Sequence, residues 1–251
     1  MSPPIVAAAL SLWYGGFQAL AGVDLVATSG EILALVGPSG CGKSTLLRCF
    51  NRMNEAPRTR IAGRLEVAGH DVRSPDVDTL CLRRAVGMVF QRPNPLPMSI
   101  RDNVLFGLRL HHGAPPRAEA ERVVEDALTR VGLWPRVRDR LKHSAESLSL
   151  EERQKLCIAR LLPLRPRILL LDEPCSALDP EGTRAIEDLM RSMQREVTQV
   201  IVTHNLAQAR RIADRCAFML LGELVEVGPT PAMFSAPVDP RTRGYLGGEY
   251  G

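Results

Sequence analysis

The run Gly37-Pro38-Ser39-Gly40-Cys41-Gly42-Lys43-Ser44-Thr45 constrains this chain more than any other feature, because it matches G-x-x-x-x-G-K-[ST] and directly follows the apolar run Ile32 to Val36. A strand that feeds such a loop, with a helix after it, is the setting in which the pattern becomes a phosphate site. Gly37, Gly40 and Gly42 permit the dihedrals that curl successive backbone N–H groups around phosphate oxygens. The following helix, expected to start near Lys43, points its positive dipole end at the same anion. In that geometry Lys43 holds the β- and γ-phosphates and Ser44 ligates Mg²⁺. The motif predicts a bound ATP or GTP.

A chain of 251 residues accommodates one large α/β domain, or one domain with a sizeable insertion. Its hydrophobic fraction of 45% and charged fraction of 24% are ordinary for a globular protein. No apolar run approaches the roughly 20 residues that a membrane-spanning helix needs. Ile5 to Leu10 is apolar but has no basic region before it, which favours a strand over a secretory signal and points to cytoplasmic residence. Six cysteines are scattered without a C-x-x-C pair. That opposes a zinc site, suits a reducing compartment, and reads as six small buried hydrophobes. The net charge of +4 comes from dispersed basic residues with only 4% aromatics, so nucleic acid is not an expected partner. The densest basic stretch, Arg136 to Lys142, is interleaved with an acid and apolar residues and reads as a solvated surface.

Up to about Leu35 the chain alternates apolar and polar residues in pieces broken by Gly15-Gly16, Gly22 and Ser29-Gly30, as in strands joined by hairpins. After the loop, Ser44 to Met53 has helical periodicity, and Ala62 to Val67 and Val86 to Phe90 read as strands. Pro93, Pro95 and Pro97 forbid regular structure after Gln91. The next sixty or so residues are helical in pattern, notably Arg117 to Val131. An apolar strand resumes at Ile168 to Leu171, followed by a helix at Glu181 to Gln194, a strand at Val200 to Val202, a helix at Leu206 to Asp214 and a hairpin around Leu221-Gly222-Glu223. The expected architecture is α/β: a P-loop NTPase with a RecA-like core and an antiparallel β layer over 1–92 and 161–251, interrupted by a helical subdomain over 93–160.

The apolar strand ends in Asp172-Glu173-Pro174, two carboxylates at the carboxyl edge of a parallel strand, where α/β sheets place ligand chemistry. Asp172 is expected to reach the Mg²⁺ held by Ser44, and Glu173 to accept a proton from water aimed at the γ-phosphate.

With these motifs in place the chain resembles the ATP-binding-cassette ATPases from about Leu10 onward. The resemblance implies that Tyr14, before Gly15, is the aromatic on which adenine stacks, with Trp13 competing for the role. It implies that Gln91 contacts Mg²⁺ and the attacking water, that Asp179 in Ser176-Ala-Leu-Asp179 crosses a dimer interface, and that His204 senses the γ-phosphate and positions Glu173. Val86 to Ile100 and Gly222 to Thr230 look like the ATPase of bacterial inorganic-phosphate importers. That likeness implies a homodimer peripheral on the cytoplasmic face of the inner membrane, and the altered signature described below leaves a heterodimer possible. Its partners would be two membrane permease subunits and an extracytoplasmic phosphate-binding protein.

One segment departs from that family. Its Leu-Ser-Gly-Gly-Gln signature, which the resemblance makes a trans phosphate contact, is Leu148-Ser149-Leu150-Glu151-Glu152 here. Ser149 keeps its place among the nucleotide-binding residues, while Glu151 sets a carboxylate against the partner's γ-phosphate. At about 5 Å and an effective dielectric near 20, that repulsion is on the order of 3 kcal/mol, roughly a hundredfold in closed-dimer stability. Ser149 followed by Glu152 is also a capping box.

Overall fold

The computed structural model describes residues 3–249. Its strands are β1 (Ile5–Tyr14), β2 (Phe17–Ala27), β3 (Ile32–Val36), β4 (Thr59–Val67), β5 (His70–Asp71), β6 (Val86–Val89), β7 (Ile168–Asp172), β8 (Thr198–Val202), β9 (Arg215–Leu220) and β10 (Glu223–Pro229). Its α-helices are α1 (Lys43–Cys49), α2 (Thr79–Ala85), α3 (Ile100–His112), α4 (Arg117–Arg130), α5 (Trp134–Val137), α6 (Leu150–Ala159), α7 (Pro180–Ser192), α8 (Leu206–Ile212), α9 (Thr230–Ser235) and α10 (Pro240–Leu246). Two compact units divide them. One takes the residues through Met88, Arg167–Glu173 and those from Met193 onward; the other takes Val89–Pro166 and Pro174–Ser192.

The first unit carries two sheets. A four-stranded sheet has the order β2-β1-β4-β5, antiparallel at each printed pairing. A six-stranded sheet has the order β10-β9-β3-β8-β7-β6, and β3 runs parallel to both β8 and β9 while β7 runs parallel to β8. Every residue of β3, β7 and β8 is buried. Unbroken apolar strands of this kind follow from a sheet covered on both faces, where no position is left for a polar side chain to reach water.

Gly22 does not break the first strands as expected. It lies inside β2 at φ +59°, with its N–H on Ser11 Oγ at 2.9 Å, and the β1–β2 register shifts on either side of Leu10. A side-chain acceptor replaces the ladder at this irregularity, so the chain bends without ending the strand. Ser29-Gly30 also makes no hairpin: β2 and β3 belong to different sheets.

In the second unit, the proline-rich stretch after Gln91 has no helix or strand before α3. Ser99 caps α3 by accepting from Asp102 N–H at 3.0 Å. The basic stretch near α5 is solvated as expected at Arg136, Arg138 and Lys142, with Arg140 half-buried. Arg140 and Arg136 approach the buried Glu152 carboxylate at 3.5 and 3.8 Å. A carboxylate that far from water needs such cations.

The cysteines split in a way composition does not show. Cys41, Cys49, Cys157 and Cys216 are buried, Cys175 is intermediate and Cys81 is exposed. Burial pushes the Cys49 thiol up to about 12 and the Cys216 thiol up to about 11. At pH 8 about one Cys49 in 10⁴ is a thiolate, the form that reacts. Iodoacetamide labelling read by peptide mass spectrometry is expected to modify Cys81 first and to reach Cys49 and Cys216 only on unfolding. Early labelling of Cys49 would contradict this packing.

Candidate nucleotide site

The sheet register brings the expected residues to one edge. Leu35 of β3 pairs with Val202 of β8, and Val202 pairs with Asp172 of β7. Beyond that row, Thr203 N–H donates to Leu35 O at 3.2 Å and Glu173 N–H donates to Val202 O at 2.9 Å. The loop that starts at Gly37, the Asp172-Glu173 pair and His204 therefore leave three adjacent parallel strands at their carboxyl ends, where an open α/β sheet binds ligands.

Within the loop, Gly37 has φ +149°, and a Cβ built there would collide with the Met219 carbonyl oxygen and lie 2.9 Å from Cys41 Sγ. Gly42, at φ +106°, opens α1 without a side-chain cap. Lys43 is buried, and its ammonium donates to Gly37 O at 2.7 Å and Pro38 O at 2.8 Å. Carbonyl oxygens thus hold a charge that burial would otherwise penalise, and the ammonium stays within the loop whose phosphates it would meet. Pro38 is half-buried, Ser39 and Gly40 are exposed, and Cys41 is buried beside Lys43, its Sγ 3.7 Å from the ammonium.

Ser44 Oγ donates to Asp172 Oδ1 at 2.7 Å, and Arg48 Nη2 approaches Asp172 Oδ2 at 3.2 Å. Two hard oxygens at that spacing suit Mg²⁺, which keeps most of its waters and arrives with nucleotide phosphates. Among the described residues no group of three His, Cys, Asp or Glu could hold a metal by itself. Arg48 was not anticipated, although its spacing four residues after Ser44 on α1 puts both on one helix face.

Glu173 is held at φ +48°, a left-handed conformation that costs a non-glycine residue roughly 1 kcal/mol or more. Its Oε2 lies 3.1 Å from His204 Nδ1, and the His204 side chain is largely exposed. Such strain is not written in a sequence. Here it turns the carboxylate away from the strand direction toward the imidazole.

Tyr14 is 37% exposed at the end of β1, near the Thr45 side chain, and partial burial raises its phenol above the ordinary value. Trp13 is instead covered by the Arg60 guanidinium, 3.8 Å above the ring. Of the two aromatics, Tyr14 is the one that adjoins the loop.

In the second unit, Gln91 is exposed just past β6. Asp179 is exposed, and its Oδ1 accepts from Gly182 N–H at 2.7 Å in the first turn of α7. Ser149 caps α6 with Glu152 in both directions: Ser149 Oγ accepts from Glu152 N–H at 3.2 Å, and Glu152 Oε2 accepts from Ser149 N–H at 3.0 Å. Glu151 does not stand as an isolated charge. Lys155, one turn on, meets its Oε1 at 2.6 Å, and both side chains are mostly covered. That pairing removes much of the repulsion expected from sequence, since the nearest cation belongs to the same helix. Leu150 projects, 42% exposed.

A parallel-sheet edge that gathers a phosphate loop, a hydroxyl–carboxylate pair and a histidine-held glutamate defines a P-loop NTPase. The family profile described as ABC transporter matches residues 20–176, and the chain belongs to that family; it is an ABC transporter ATP-binding subunit. Among solved structures it is similar to CbiO1 from Clostridium perfringens, part of the ABC transporter complex CbiONQ. That match has 27% identity over 98% of this chain and 96% of that one, with a TM-score of 0.82. It is also similar to the ATP-binding cassette MJ0796, solved as a dimer in a post-hydrolysis state with ADP and Pi, at 27% identity over 90% of this chain and 98% of that one and a TM-score of 0.77. Among the described residues no helix is long and apolar enough to cross a membrane.

Proposed function

We propose that this chain hydrolyses ATP, as a dimer on the cytoplasmic face of the membrane, to drive uptake of inorganic phosphate through two partner permease subunits. The observation that carries the ATPase reading is the convergence of Lys43, Ser44, Asp172, Glu173 and His204 on one sheet edge. In this reading Lys43 and the loop amides bind the phosphates, Ser44, Asp172 and Gln91 hold Mg²⁺, and Tyr14 packs on adenine. Glu173, oriented by His204, takes the proton of the attacking water. Ser149 and Asp179 serve the facing subunit. Support for a multi-subunit importer comes from the likeness to CbiO1, a component of a transporter complex, and support for a dimer from MJ0796. The phosphate cargo is supported by the segments Val86 to Ile100 and Gly222 to Thr230. Phosphate-dependent uptake in vesicles reconstituted with the permease tests it, and uptake of another anion in place of phosphate would reassign the cargo.

The altered signature favours a second arrangement, a heterodimer whose other ATPase carries the family's glycines, because Leu150 projects where the family has no side chain. Replacing Leu150→Gly and Glu151→Gly is expected to raise homodimer turnover about 3- to 30-fold. This is less than the unpaired-charge estimate because Lys155 already neutralises Glu151. Equal rates in a steady-state ATPase assay would show that the altered turn costs the homodimer nothing.

A further inference from the structure

Asp172 ends a strand in which every residue is buried, and its own side chain is only 5% exposed. A carboxylate so placed needs partners. Both come from α1: Ser44 Oγ donates to Oδ1 at 2.7 Å, and Arg48 Nη2 donates to Oδ2 at 3.2 Å. Ser44 is neutral, so the compensating charge is that of Arg48. Lys43, the other cation of this helix, directs its ammonium to the Gly37 and Pro38 carbonyl oxygens instead.

Arg48 is less confined than the group it neutralises. Its side chain is 45% exposed, so the guanidinium can exchange Oδ2 for water at modest cost. It also lies in the last turn of α1, where the helix dipole favours a cation whether or not the ion pair is made. The pair therefore holds the buried carboxylate and remains displaceable. From its place beside a ligand oxygen, Arg48 repels a bare divalent cation. It repels one carried on nucleotide phosphates less, because their negative charge offsets that of the ion.

We propose that Arg48 is a positioning residue that holds Asp172 in a displaceable ion pair and thereby makes Mg²⁺ binding depend on nucleotide. The proposal rests on the reading of Ser44 and Asp172 as the Mg²⁺ site of a nucleotide-binding chain. Apparent affinity falls with the fraction of sites competent to receive the ligand. An ion pair with one half-exposed partner lowers that fraction about 2- to 5-fold.

The full chain, Arg48→Gln and Arg48→Lys are compared by Mg²⁺ titration of the binding of a fluorescent, non-hydrolysable ATP analogue. Thermal unfolding is read in EDTA and in Mg²⁺ without nucleotide. Arg48→Gln is expected to reach half-saturation at about 2- to 5-fold less Mg²⁺ than wild type. It is expected to melt about 1–3 °C lower in EDTA and to recover in Mg²⁺ alone, which leaves wild type unmoved. Arg48→Lys keeps the charge and is expected to follow wild type in both assays. A residue that merely packed would weaken binding when replaced, so the sign of the shift separates the two roles. An Mg²⁺ half-point in Arg48→Gln that is unchanged or raised overturns the proposal, as does wild-type binding that Mg²⁺ does not affect. A wild-type chain that binds no ATP analogue ends the nucleotide reading as well. One that binds it with Mg²⁺ while Arg48→Gln shows no shift ends only this inference.

Discussion

Replacing Glu173 by Gln is expected to cut steady-state ATP turnover about 10²- to 10³-fold while leaving nucleotide affinity within about twofold. The substitution keeps shape and hydrogen-bonding reach but removes the lone pair that accepts the water proton. The backbone tie of Glu173 to the sheet, its N–H on Val202 O, is untouched by the substitution. The imidazole of His204 remains beside the new amide, so the effect isolates proton acceptance from positioning. Steady-state hydrolysis and binding of a fluorescent ATP analogue read the two quantities separately. Turnover within tenfold of wild type would remove Glu173 from the role of general base and shift attention to His204.

The edge that gathers the candidate site was legible because its residues are local in sequence. A loop of fixed spacing follows one apolar strand, and a carboxylate pair follows another. What was not legible depends on pairing between distant segments. Gly22 looked like a turn, but Ser11 supplies an acceptor across the strand pair and β2 bends there without ending. Arg136 and Arg140 lie on a solvated stretch, but only the fold shows that α6 brings the buried Glu152 to them. The stacking of Tyr245 on Phe218 has no sequence signature, since nothing in the spacing of two residues so far apart records that α10 returns to β9.

The altered signature shows both sides of this limit. The capping box between Ser149 and Glu152 was readable from a spacing of three and is present in both directions. The charge on Glu151 was readable too, and so was Lys155 four residues on, the spacing at which a helix pairs opposite charges. Reading the carboxylate without its helical neighbour overstated its repulsion.

Gly37→Ala is expected to abolish measurable nucleotide binding, with affinity down more than about fiftyfold, and to lower the melting temperature by about 6–12 °C. The added Cβ would meet two obstacles, the Met219 carbonyl oxygen and Cys41 Sγ at 2.9 Å. The first is backbone of β9 and cannot rotate away, so β3 and β9 must separate or the loop must rebuild. Overpacking against backbone that cannot yield reaches about 3 kcal/mol, which for a chain of this size corresponds to about 6–12 °C. Gly40→Ala provides the contrast. Gly40 also has a positive φ, +76°, but a Cβ there has no atom within 4 Å. Its substitution carries only the conformational cost of about 1 kcal/mol, a shift of about 2–4 °C. Thermal unfolding of the two variants side by side separates lack of space from backbone preference. Equal losses would mean that the contact between the loop and β9 does not constrain Gly37, and that its conformation alone explains the glycine.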